Sequence, residues 1–341
     1  MEELVWHDCR ELTIEGRAWD DTRSYYDRLP ARACGVVRDP VWDLAQHAAG
    51  ICCRFATDAT AIHARWELRY ESLAMPHMPA TGVSGLDLYV RVGGAWRWAG
   101  VGQPTQFPVN TAALASGMAA GQREYLLYLP LYNGVHRVEV GVSREATVTP
   151  GPARRADRRL PMVFYGTSIT QGGCASRPGM AHVAILGRWL DRPVVNLGFS
   201  GNGTMDLSVA QLMAELEAAA WVIDCGPNMT AEAVAERTAP LVRVLRQASA
   251  TTPIILVEDR TCASAHLLPG TAQGHAASRA SLRAAFDALL LAGDEHLYYQ
   301  PGAPLLGEDD EGTVDTSHPT DLGFFRQATA MRPLLESVAQ H

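Results

Sequence analysis

Two patterns of apolar residues divide the chain near residue 150. Between Ile62 and Val142 the apolar positions fall in short alternating or β-rich segments, Ala61–Trp66, Leu86–Val92, Trp96–Val101 and Val135–Val142, separated by Gly, Pro and Asn turns. A period of two punctuated by turns predicts half-buried strands, and several in a row predict a small all-β sandwich or jelly roll. Thr147–Pro152 and the basic stretch from Arg154-Arg155 to Arg158-Arg159 then read as a linker with solvated arginines. After Leu160 the rhythm changes. Continuous apolar runs at Met162–Tyr165, Val194–Leu197, Trp221–Asp224, Ile254–Val257 and His296–Tyr299 alternate with helical stretches near 178–190, 205–218, 230–248, 272–292 and 319–338. That alternation predicts a doubly wound parallel sheet with helices on both faces. The expected organisation is a β-domain over 1–150 and an α/β domain over 151–341.

Candidate chemistry sits at the ends of the predicted parallel strands. Tyr165-Gly166-Thr167-Ser168-Ile169-Thr170-Gln171-Gly172-Gly173 is a small-residue turn carrying one serine, and Asp315-Thr316-Ser317-His318 lies near the other end of the chain. A serine hydroxyl needs an imidazole to take its proton and a carboxylate to hold that imidazole in the right tautomer. An Asp-x-x-His on a loop before a helix can aim both side chains at one point, and Pro319 suits the first turn of that helix. Asn196–Gly203 and Asp224–Asn228 each follow an apolar run, which puts Gly201 and Asn228 in strand-end loops. A glycine N–H and an asparagine amide there, with the Ser168 N–H, would make a three-donor oxyanion hole. Taken singly, each piece also has a plain structural reading: a turn, a helix cap, or, for Asn228, a cap on the helix whose first turn holds Thr230 and Glu232.

The order Gly-x-Ser, Gly, Asn, Asp-x-x-His resembles the four blocks of the SGNH hydrolase superfamily, the GDSL-type esterases and lipases. The resemblance spans about half the chain. It implies a flavodoxin-like sheet with Ser168 as nucleophile, Ser168, Gly201 and Asn228 as oxyanion donors, His318 as general base and Asp315 as its orienter. Thr167 stands where the family often has Asp, and Met229 where many members have a second Asp; neither position carries a catalytic role in the family. Gly85-Leu86-Asp87-Leu88-Tyr89 also resembles the signature of a β-domain fused in front of one group of SGNH esterases. Read as a plain strand, it puts Leu86 and Leu88 on one face and Asp87 and Tyr89 on the other.

The other candidates take structural readings. His182 falls in the apolar-periodic run Met180–Leu190 and is expected as a satisfied helix residue, while His47, His63, His77 and His136 show no ligand-like spacing. His266 and His275 lie in an Ala/Gly-rich stretch open to substrate contact, and the segment 262–274 is expected to border the pocket. Trp42, Trp96, Trp98 and Tyr132 are aromatic candidates for sugar contact but are expected in the core or at interfaces. No metal-site, phosphate-loop or Gly-x-Ser-x-Gly pattern occurs, so no cofactor or metal is expected.

Composition narrows the partners. With 341 residues, 47% hydrophobic and 19% charged, the chain has ample apolar material for two ordinary domains. A net charge of −8 argues against nucleic acid or an anionic membrane as partner. Seven cysteines, an odd number, do not form a disulfide framework, and Cys174 and Cys225 have no predicted base beside them. The acidic start Met1-Glu2-Glu3-Leu4 lacks a secretory signal, which makes the expected location cytoplasmic. The expected function is a serine esterase acting on short, acetyl-type esters, with acetylated sugars or oligosaccharides as the preferred substrates and homo-oligomerisation open. The alternatives are a lipid or small-molecule esterase, an acyltransferase, or a catalytically silent carbohydrate-binding protein.

Overall fold

The alternating segments pair into two antiparallel sheets. The structure, a computed structural model, describes residues 3–338, so the ends of both expected domains, Met1 and Glu2 of the acidic start among them, lie outside the described residues. In chain order the strands are β1 (Leu4–Asp8), β2 (Thr13–Glu15), β3 (Cys52–Thr57), β4 (Ile62–Leu68), β5 (Leu86–Val92), β6 (Ala95–Gly102), β7 (Val109–Ala115), β8 (Arg123–Tyr128), β9 (Val135–Ser143) and β10 (Val148–Pro150). One sheet has the order β1-β9-β4-β7; the other runs β10-β3-β8-β5-β6, with β2 against β3. Along β4 every second residue from Ile62 to Leu68 is buried, the period of two that the sequence carries. Phe55, Trp66, Leu86, Leu88, Tyr125, Leu127, Val138 and Val140 fill one core, as in a sandwich.

Two sequence expectations are corrected here. The stretch expected as a linker contains β10, whose Val148–Pro150 pairs with Thr57–Phe55. Arg154, expected on solvated surface, is drawn in by carboxylates: it bonds Glu15 at 2.7 and 2.8 Å and Asp191 at 3.1 Å.

The second half forms an all-parallel sheet. Strands β11 (Met162–Gly166), β12 (Val194–Gly198), β13 (Ala220–Asp224), β14 (Ile254–Val257) and β15 (Leu297–Gln300) lie in the order β12-β11-β13-β14-β15. The first three are buried at every position, which is why they read as continuous apolar runs. Helices along the chain are α1 (Asp39–Leu44), α2 (Ala80–Val83), α3 (Ser168–Gln171), α4 (His182–Trp189), α5 (Leu207–Met213), α6 (Ala231–Ala248), α7 (Pro269–Leu291) and α8 (Asp321–Val338). Val209, Leu241, Leu245 and Phe286 of α5, α6 and α7 cover one face of the sheet. Ile185, Leu186, Phe324 and Met331 of α4 and α8 cover the other. The result is a doubly wound, flavodoxin-like sheet preceded by an all-β unit. Trp19, Leu29, Val41 and Trp42, from the first 45 residues, also join the α5–α7 core, so this early segment packs on the parallel sheet.

Some details depart from the periodicity. The stretch 178–190 is a 3-10 turn, Pro178–Met180, followed by α4. Pro319 lies before α8 rather than in its first turn, bridging Thr313. His182 opens α4 fully buried and stacked on Phe324, and neither ring nitrogen has a hydrogen-bond partner among the described residues, so it is not the satisfied histidine expected. Burial lowers its pKa to about 3 and keeps it neutral.

Candidate active site

Register sets the site. Gly166 pairs with both Gly198 and Asp224, so β11, β12 and β13 end side by side. Their loops start with Thr167-Ser168, with Phe199 leading to Gly201, and with Cys225 leading to Asn228. These are carboxyl ends of strands in an open α/β sheet, where such folds hold ligands. A different cavity of about 780 Å³, lined by Arg158, Leu160, Ala219, Pro253 and His296, opens at the amino ends of the strands, away from Ser168.

Ser168 begins the one-turn α3. The Thr167 hydroxyl accepts from the Ile169 N–H at 3.2 Å, so it supplies the N-cap bond that an aspartate there would supply. Gly172 ends the turn at φ +109°, a left-handed conformation glycine adopts without strain, and the N–H groups of Gly172 and Gly173 both donate to the Ser168 carbonyl, at 2.9 and 2.8 Å. A side chain on Gly198 would meet the Gln171 backbone nitrogen at 2.1 Å. That glycine lets α3 rest directly on the end of β12.

Three of the five predicted residues form a continuous hydrogen-bonded chain. Ser168 Oγ lies 2.8 Å from His318 Nε2, and His318 Nδ1 lies 2.7 Å from Asp315 Oδ2. The other carboxylate oxygen, Oδ1, accepts the backbone N–H groups of His318 at 2.7 Å and Ser317 at 3.2 Å. Burial pushes the Asp315 carboxyl up, but the His318 N–H and ring, with the Ser317 N–H, outweigh it and hold the group below its ordinary value. An ionised Asp315 fixes the proton on Nδ1 and leaves Nε2 as the acceptor facing Ser168.

The remaining two predicted residues stand on the neighbouring loops. Gly201 has φ +68°, with open space where a side chain would be. Asn228 Oδ1 accepts the Gly203 N–H at 3.3 Å, which fixes the amide and leaves Nδ2 as the end available to donate. Asn228 does not cap α6; Thr230 does, accepting from Ala233 N at 3.3 Å. Met229 packs against the α5–α7 core.

Several supporting residues carried little signal in the sequence. Gln171 Oε1 accepts from Ser200 N at 3.0 Å while its Nε2 donates to Leu131 O at 3.1 Å and His47 Nδ1 at 3.0 Å. Burial, reinforced by Arg28 and Arg69, lowers His47 to about 3, so it is the neutral acceptor this bond requires. Asn196 Nδ2 donates to Thr170 O at 2.8 Å. Both Gln171 and Asn196 lie within the quoted motifs, and a buried amide three residues after the serine was the available clue. Arg28 had none. Its buried guanidinium donates to four backbone carbonyls, those of Leu44, His47, Asn196 and Gly198, at 2.7 to 2.9 Å, and ties the first unit to the end of β12. Tyr132, expected in core or interface, donates its hydroxyl to the Ser168 carbonyl at 3.3 Å.

Asp87 of the Gly-Leu-Asp-Leu-Tyr segment lies in β5, as the strand reading has it, and is also a staple. Fully buried, it accepts from Trp98 Nε1 at 2.9 Å, Arg177 Nη1 at 2.8 Å and Gly179 N at 2.8 Å. The same Arg177 nitrogen donates to Tyr89 Oη at 2.6 Å. The segment after the Ser168 turn is thus anchored to β5. Within 262–274, Ala263 N donates to Thr316 O at 2.9 Å, behind the Asp315–His318 loop, whereas His266 is exposed, with Nδ1 3.0 Å from Ala263 O and 3.6 Å from the Asp310 carboxylate. His275 pairs with Asp259 at 2.6 Å.

Comparison with known proteins gives the same two-part picture. Residues 159–336 match the GDSL-like lipase/acylhydrolase family, and residues 4–148 match GxDLY, the N-terminus of SGNH-hydrolase-type esterases. A solved protein described as a GDSL-like lipase, from Bacteroides ovatus ATCC 8483, is 32% identical over 98% of each chain with a TM-score of 0.92. The salicylyl-acyltransferase SsfX3 of a tetracycline biosynthetic pathway is 18% identical over 97% of this chain and 96% of its own, with a TM-score of 0.75. A family two carbohydrate esterase from Clostridium thermocellum, solved with cellohexaose, is 16% identical over 85% and 92%, with a TM-score of 0.60. The last two likenesses are of fold. Among curated proteins, none matches in sequence. No helix among the described residues is long and apolar enough to cross a membrane.

Proposed function

The chain belongs to the GDSL-like lipase/acylhydrolase family, and from that premise we propose that it is a serine esterase that removes short, acetyl-type acyl groups through an acyl-enzyme. The observation that carries this reading is the Ser168–His318–Asp315 chain, with contacts of 2.8 and 2.7 Å. In this account Ser168 Oγ attacks the ester carbonyl as His318 Nε2 takes its proton, and Asp315 steadies the imidazolium. The negative oxygen accepts from the N–H groups of Ser168 and Gly201 and from Asn228 Nδ2, donors held in place before the reaction begins. Collapse of the tetrahedral species expels the alcohol, which leaves with the proton from His318. Water, deprotonated by His318, then releases the acid and restores Ser168.

The acetylated alcohol is proposed to be a carbohydrate. Support comes from the fold shared with the carbohydrate esterase solved with cellohexaose, and from the attached β-unit, whose Tyr132 reaches the nucleophile turn. The fold shared with SsfX3 favours one competing outcome, transfer of the acyl group to a second alcohol instead of water.

A series of p-nitrophenyl esters, assayed with and without an added sugar alcohol, tests the proposal. kcat/KM is expected to fall at least tenfold from acetate to octanoate, with free acid as the product. A rise with chain length contradicts the acetyl assignment, and acylated sugar as the main product contradicts hydrolysis.

A further inference from the structure

A cluster of possible metal ligands adjoins the proposed general base. One ligand atom each from His77, Cys174 and His318 lie within 4.8 Å of one another. They converge from separate parts of the chain. His77 projects from the turn 75–78, closed by reciprocal backbone bonds of 3.0 and 3.1 Å between Met75 and Met78. Cys174 follows the glycine pair after α3, and His318 precedes α8. The His77 and His318 rings meet edge to face at 5.8 Å.

One sulfur and two imidazole nitrogens are the donor set that Zn²⁺ prefers. Tetrahedral zinc, with bonds of about 2.0–2.1 Å to nitrogen and about 2.3 Å to sulfur, spaces its ligand atoms roughly 3.3–3.6 Å apart. The exposed His77 ring therefore has to move inward by about an ångström to complete the set. A second observation points the same way. Histidine ligands commonly donate their other ring N–H to a carboxylate, which fixes the tautomer and raises the basicity of the ligating nitrogen. His318 Nδ1 already lies 2.7 Å from Asp315 Oδ2, which leaves Nε2, 2.8 Å from Ser168 Oγ, as the ring nitrogen with a lone pair to give.

We propose that His77, Cys174 and His318 form an inhibitory site for a thiophilic divalent cation, with Zn²⁺ as the fitting ion. On binding, the Cys174 S–H proton leaves to solvent and a Zn–S bond forms. The Nε2 lone pair of His318 goes to the metal and is no longer available to take the Ser168 proton. The cation binding stands on the three ligands alone; the inhibition also rests on the role proposed above for His318. His77 and Cys174 have no part in the ester chemistry, so their removal leaves metal-free turnover unchanged.

The test uses the full-length, chelator-treated protein in thiol-free buffer. Zn²⁺ is titrated against p-nitrophenyl acetate hydrolysis, and Co²⁺ binding is followed separately by its thiolate charge-transfer absorption in the near ultraviolet. The wild type is expected to bind one Co²⁺ per chain with the thiolate band and to lose activity to Zn²⁺ reversibly on chelation. His77→Ala and Cys174→Ser are expected to keep the metal-free kcat/KM and to need at least tenfold more Zn²⁺ for half inhibition, with the band absent from Cys174→Ser. Ser168→Ala is expected to keep the band, so binding is read even where activity is gone. Absence of the thiolate band from the wild type, or equal Zn²⁺ sensitivity of all three proteins, overturns the site. A band with undiminished activity overturns the inhibition and counts against the role given to His318, while leaving the ligands in place.

Discussion

Ser168→Ala is expected to lower kcat for ester hydrolysis by about 10⁴- to 10⁶-fold, the range seen when a catalytic serine acting with its histidine is removed. The loss should be chemical rather than structural. The side-chain partner of Ser168 Oγ is His318 Nε2, and the bonds that build α3 run through the Thr167 hydroxyl and the Ser168 carbonyl, which the substitution leaves in place. Removing one hydrogen bond of this kind changes stability by about 0.5–1.5 kcal/mol. Urea unfolding beside the kinetics separates the two effects: an almost unchanged midpoint with lost turnover fits the nucleophile, and a matching loss of folded protein does not.

Arg260→Met is expected to cost about 3–5 kcal/mol of stability, as when one partner of a buried ion pair is removed. Asp224 closes β13 with no exposure, and Arg260, 3% exposed, donates to both its oxygens at 2.8 and 2.7 Å. The other contacts to Asp224, from Thr170 at 3.5 Å and Gln327 at 3.4 Å, are too long to replace it. Burial already raises the Asp224 pKa, against the pull of Arg260, so the folded state favours the protonated acid relative to the unfolded chain. For a group raised in the folded state, stability is present at low pH and is lost as pH rises through the folded value. Without Arg260 the rise is larger. The deficit should therefore be largest at neutral pH and shrink toward the ordinary carboxylate range. Urea unfolding at pH 5 and pH 8 checks the sign, and adding Asp224→Asn should recover much of the loss. Because Cys225–Asn228 follow directly, the pair also holds the end of the strand from which the proposed oxyanion amide departs.

The parallel sheet was legible because its information is local. Each of its five strands is a short apolar run bounded by turns, and the observed ends lie within one or two residues of those runs. The β-unit was harder. β3 contains Arg54, which is buried only because Glu15 and Glu124 of other strands pair with it, and nothing in the residues beside Arg54 announces those partners. β10 looked like a linker because its pairing partner lies almost a hundred residues earlier in the sequence.

The same division runs through the site. Ser168, Gly201, Asn228, Asp315 and His318 each sit in a small-residue segment at a strand end or before a helix, a local pattern with a chemical reason. The residues that hold them answer to distant contacts. Arg28 spans the backbone of both units, and Asp87 fastens β5 to the segment behind the Ser168 turn. Trp42 was expected in core or interface and lies in the core of the parallel sheet, a unit other than the one its sequence position suggested.

The central claim is a covalent intermediate on Ser168, and trapping it is the most direct test. The protein is treated with a fluorophosphonate, which forms a stable adduct with an activated serine, and is then examined by intact-mass and peptide mass spectrometry beside Ser168→Ala. A single adduct on the peptide bearing Ser168, blocked by prior incubation with acetyl ester and absent from the variant, is the predicted result. An adduct on another residue, or one that persists in Ser168→Ala, would contradict the account.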